Sequence, residues 1–103
     1  MAYSYHVKEA SFIARIASWK LRAAKVAIVI GNTIYLHNTR KDEFLRDKRW
    51  LLHELKHIEQ FKRYGLLRFI MLYLLESARN GYTCNKFEIE ARRAEMQVSE
   101  ENK

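Results

Sequence analysis

The sequence predicts an α+β fold: a mostly helical single domain covering residues 1–103, in which a β-hairpin (about 25–37) packs against a long helix (about 47–64) and two further helices. Three observations carry that prediction. Proline is absent and glycine occurs only three times, so little in the chain interrupts helices or builds long irregular loops. Two β-rich runs, Lys25 to Ile30 and Thr33 to His37, flank the dipeptide Gly31-Asn32, the signature of a two-residue hairpin turn. Leu51, Leu52, Leu55, Ile58 and Phe61 then recur at helical spacing, as a core-facing stripe does.

Taken in order, the chain first predicts an amphipathic helix from about Lys8 to Ala23. Phe12, Ile16 and Trp19 lie at inward spacing, and Arg15, Lys20 and Arg22 supply a charged face. The hairpin follows; two strands alone are marginal, so it must lean on the helices, and one strand is left as an open edge. Thr39 to Asp42 has N-cap character and opens a short helical turn. The long helix starts near Asp47 and ends at Tyr64, where Gly65 supplies a C-terminal cap. Leu66 to Leu75 is the most apolar run of the chain, but at about ten residues it is half the length a membrane span needs. It reads as a buried helix ending at Gly81, with weak membrane-surface attachment as the lesser reading. Residues 82–86 form a loop, Phe87 to about Gln97 a last helix, and residues 98–103 a polar, frayed tail.

Composition bounds the function classes. Forty-nine per cent apolar and thirty per cent charged residues fit a globular domain rather than a disordered chain. The lone Cys84 excludes an internal disulfide, and the N-terminus lacks a charged segment followed by an apolar run, so a cytoplasmic location is expected. The net charge of +7 is concentrated in residues 1–50, with ten Lys/Arg against four Asp/Glu. Such a half can attract polyanions, but no nucleic-acid-binding motif accompanies it, and solvated helix faces explain it more simply.

One pentad names a chemistry: His53-Glu54-Leu55-Lys56-His57, an HExxH pattern within the long helix. Residues four apart share a helix face, so two imidazoles can bind one divalent metal while Glu54, beside them, can act as a base toward water. His53, His57, Gln60 and Tyr64 form a polar stripe next to the apolar one, as on an inner helix that lines a cleft. Two histidines hold zinc poorly, so a third ligand is required. The residues leave it open among Cys84, Glu88, Glu90, His37 and His6. Glu88 and Glu90 diverge by roughly 200° on a helix, so only one of them can face the metal. Cys84 as a fourth ligand would close the site and make it structural.

The pentad followed by Glu88-Ile89-Glu90-Ala91 resembles the zincin metallopeptidases, and within them the gluzincins, in which a Glu on a downstream helix completes the zinc site. The resemblance covers about residues 25–97 in the order of elements, but only the pentad and the ExxA segment in sequence. It implies Zn2+ held by His53, His57 and Glu88, with Glu54 as the catalytic base in peptide-bond hydrolysis and a peptide or protein as substrate. It also implies an extended substrate pairing with the hairpin's open edge. Arg92 departs from the pattern: some of these families place there an Asp that supports a zinc-bound histidine, so another carboxylate must do so, with Asp47, Glu59 and Glu76 as candidates. Tyr73, Tyr82 and His37 are candidate oxyanion stabilisers. Two alternatives stand beside this reading: a metal-binding but non-proteolytic zincin-like module, and a basic nucleic-acid-binding protein with an accidental HExxH.

Overall fold

A computed structural model describes residues 5–9 and 25–101. These form β1 (His6–Lys8), β2 (Val26–Ile30), β3 (Thr33–His37), α1 (Lys41–Arg46), α2 (Lys48–Tyr64), α3 (Leu66–Asn80) and α4 (Lys86–Glu101). The helix expected over residues 8–23 lies almost wholly outside the described residues, and its first expected residue, Lys8, ends β1 instead. The α+β class is as the sequence predicts.

The hairpin folds in the anticipated register, with Ile30 opposite Thr33 and Val26 opposite His37. Gly31 has φ 65° and Asn32 does not share that sign, the pattern of a type II′ turn, whose first central position suits glycine. β1 adds to the other side of β3 in parallel, giving the order β1-β3-β2. Among the described residues β2 is therefore an edge strand. Ile34 and Leu36 of β3 are fully buried and, with Val29, Phe44, Leu55, Ile58 and Phe61, form one core between the sheet and α2. Phe44 and Trp50 pack edge to face at 5.0 Å, holding α1 against the start of α2.

The ends of α2 are set by its sequence. The Asp47 side chain accepts from Trp50 N, satisfying one of the amides that a helix start leaves without a partner. Gly65 ends the helix at φ 85° and ψ 158°, a conformation essentially confined to glycine, and starts α3 in the next residue. At α1 the expected cap is not used. Thr39 is buried without a side-chain hydrogen-bond partner among the described residues, and Glu9 instead accepts from Lys41 N. The cap comes from across the sheet, so local sequence does not display it.

Two expectations about helices need correction. α4 runs on to Glu101 rather than fraying near Gln97, since no Gly or Pro stops it. α3 is not a buried helix: Phe69 is its one buried residue, and Leu66, Leu67, Met71, Leu74 and Leu75 are exposed. Its apolar residues surround the axis, whereas only one side meets the core.

Candidate metal centre

His53 and His57 project from the same side of α2 one turn apart, their rings 5.1 Å between centroids and steeply inclined at 73°. Glu88, in the first turn of α4, is brought between them. Its Oε1 lies 3.0 Å from His53 Nε2 and 3.1 Å from His57 Nε2. The three residues each offer a ligand atom within 4.8 Å of the others, and all are largely withdrawn from solvent. Tetrahedral ligands about 2.0–2.1 Å from zinc would stand roughly 3.3–3.4 Å apart. The two Glu88–histidine distances therefore need to open by only a few tenths of an ångström to fit such an ion.

The position of Glu88 follows from three local devices. Asn85, fully buried, accepts from Phe87 N at 2.8 Å and so caps α4; its amide donates to Tyr73 O and Ser77 Oγ of α3. Phe87 anchors in the aromatic cluster with Phe69, 4.9 Å between ring centroids. Ala91 and Ala94, on the turns that follow Glu88, are buried, and their small side chains suit a close helix contact. The remaining oxygen of Glu88 accepts from Tyr73 Oη at 2.5 Å.

Each imidazole is also oriented from behind. His53 Nδ1 lies 2.8 Å from Glu95 Oε2. His57 Nδ1 lies 2.8 Å from Gln60 Oε1, and the Gln60 amide donates to Phe87 O and Glu90 Oε1, both at 3.1 Å. With its nitrogen committed to two acceptors, the Gln60 oxygen must accept from His57. Both Nδ1 atoms therefore carry hydrogen, and both Nε2 atoms face Glu88, the arrangement metal-binding histidines use.

The candidate third ligands separate by position, and only Glu88 joins the histidines. Glu90 supports Gln60 instead. Cys84 is exposed and outside the ligand group, and His6 lies on the far edge strand. None of the three carboxylates expected to support a histidine does so: Asp47 caps α2, Glu59 pairs with Lys56 and Arg63, and Glu76 accepts from Asn80 and Lys86. Glu95 has that place, and a sequence signal for it exists: it stands seven residues after Glu88, on the same face of α4. Arg92 donates to Thr83 O and ties down the loop before α4.

The electrostatics are those of a site that attracts a cation. Burial alone would lower the pKa of His53, but Glu88, Glu54 and Glu95 outweigh it and raise the value to about 9. The same contest raises His57, with Glu88 again the main opposing group. Burial disfavours the Glu88 carboxylate, yet hydrogen bonds from both histidines hold its pKa well below the ordinary range. Three groups that must share protons to satisfy one another are a set that a divalent cation can satisfy instead. Glu54 differs: burial lifts its pKa to about 7, with His57 and His53 opposing.

Glu54 sits where two clefts meet. One, about 340 Å³, is lined by β2, Phe61, Phe69, Ile70 and Leu74 together with the two histidines and Glu88. The other, about 600 Å³ and more polar, runs past Asp47, Arg49, Trp50 and Glu95. Val26, Ala27, His53, Glu54 and Tyr82 belong to both. Tyr82 borders both clefts while half exposed, with its pKa raised by burial and by Glu88 to about 12, whereas Tyr73 is engaged by Glu88 and His37 lines neither cleft. Comparisons with protein-family models, curated proteins and solved structures found no match.

Proposed function

We propose that this chain is a minimal gluzincin-like zinc peptidase, with His53, His57 and Glu88 as metal ligands and Glu54 as general base. The observation that carries the reading is the convergence of Glu88 Oε1 on both Nε2 atoms at 3.0 and 3.1 Å, beside a buried carboxylate that opens onto a cleft. The donor set, two imidazoles and one carboxylate, is one that catalytic zinc commonly uses, with a position left for water.

When bound, zinc supplies Lewis-acid polarisation of the scissile carbonyl and lowers the pKa of the attacking water. The chain's own residues do the rest. Glu54 accepts a proton as the water oxygen bonds to the carbonyl carbon, then delivers it to the amine nitrogen as the C–N bond breaks. β2, the edge strand that lines both clefts, offers backbone hydrogen bonds to an extended peptide and so aligns it across the histidines. Tyr82, which borders both clefts, is the candidate donor to the developing oxyanion.

The test is cleavage of a peptide library and of casein by the purified chain after chelation and zinc return. Zinc-restored cleavage that Glu54→Gln abolishes supports the proposal. Bound zinc without cleavage would favour the non-proteolytic module.

A further inference from the structure

Among the described residues, α3 carries an apolar face that the core does not use. Leu67, Met71 and Leu74 are 75, 71 and 62 % exposed, and Leu66 and Leu75 about half. At 100° per residue these side chains occupy one continuous arc, opposite the side through which Phe69 enters the core. Solvent-exposed arcs of that kind are uncommon on monomeric soluble proteins and mark interaction surfaces. No described helix is long and apolar enough to cross a membrane, so the face covers rather than spans whatever it meets.

Charge indicates which partner fits. Arg68 and Arg79, three turns apart and both exposed, lie together along the border of the arc next to Leu75. Glu76, the one acid of α3, is turned away to Asn80 and the start of α4. The whole chain carries +7. A second copy seated on this face would bring two strongly cationic bodies and two pairs of arginines together, whereas an anionic surface would neutralise them.

We propose that α3 docks this protein on an anionic lipid surface, with its leucines and Met71 seated at the boundary of the acyl chains and Arg68 and Arg79 at the lipid phosphates. This is the binding mode of an interfacial amphipathic helix, in which buried apolar area and attraction to anionic headgroups act together. Ile70 and Leu74 also line the smaller cleft, so docking places the cleft mouth at the lipid boundary. The inference does not depend on the peptidase reading.

The test is sedimentation of the full chain with vesicles of phosphatidylglycerol and phosphatidylcholine, and with vesicles of phosphatidylcholine alone. Binding to the mixed vesicles, falling with salt and weak on the neutral ones, is expected. The double substitution Leu67→Ser, Met71→Ser, at positions outside both clefts, should weaken binding at least about tenfold. Arg68→Gln with Arg79→Gln should weaken it roughly thirtyfold, about fivefold per charge. Far-UV circular dichroism should be unchanged in both variants. Wild-type protein that stays in solution with mixed vesicles overturns the proposal, as does undiminished binding by the Leu67/Met71 variant. Sedimentation velocity supplies a third check: a dimer that the same variant dissociates would assign the face to a second copy instead.

Discussion

Glu95 lies directly behind His53: its Oε2 is 2.8 Å from Nδ1, on the side of the ring opposite Glu88. The carboxylate fixes the ring's orientation and leaves Nε2 as the inward nitrogen. Removing such a supporting group typically costs 10–100-fold in metal affinity. Glu95→Ala should therefore weaken zinc binding by about that factor, measured by competition with a chromophoric chelator. Unchanged affinity would mean that His53 holds its pose without Glu95.

Glu54 is buried beside the three candidate ligands but is not one of them, so its role is separable from metal binding. Glu54→Gln should keep the zinc content of wild type while lowering the rate of peptide hydrolysis by about 10²–10⁴-fold. Loss of zinc along with activity would instead make Glu54 a structural member of the centre.

Gln60 is 1 % exposed and connects His57, the Phe87 carbonyl and Glu90. Gln60→Ala leaves those buried groups without their partner, at a cost of about 1–3 kcal/mol. In a domain of this size that corresponds to a fall in Tm of at least roughly 4 °C, read by thermal denaturation of the metal-free protein. A variant as stable as wild type would show that water replaces the amide.

A ligand that binds only the folded state raises its stability by mass action. At free zinc about a hundredfold above Kd the gain is about 2.7 kcal/mol, or roughly 10 °C or more in Tm. Wild type should show that rise, reversed by chelator, and His57→Ala should not. An equal rise in both would place the zinc elsewhere on the chain.

Much of this arrangement is legible in the sequence because its determinants are local. Asp47 and Gly65 bracket α2 in sequence as they do in space, and Gly31-Asn32 fixes the hairpin register. The two histidines follow from helical spacing alone. Glu88 is different: the residues leave it level with Glu90, and only the likeness of the ExxA segment to gluzincins favours it. What decides between them is tertiary: Glu88 meets both histidines across the helix pair, whereas Glu90 turns to Gln60. Glu95 and Gln60 escape recognition as partners for the same reason, although their spacing from Glu88 and His57 puts them on the right faces. α3 misleads in another way. Hydropathy reports how apolar a segment is, not which side of it meets a core, and among the described residues the core meets only its Phe69 side.

The most direct test of the centre is elemental analysis of wild type beside His57→Ala and Glu88→Ala, each purified identically and reconstituted with zinc. One zinc per chain in wild type, and background levels in both variants whose helical content is intact, is the predicted result. Wild type without zinc, or Glu88→Ala with a full complement, would contradict the three-ligand centre.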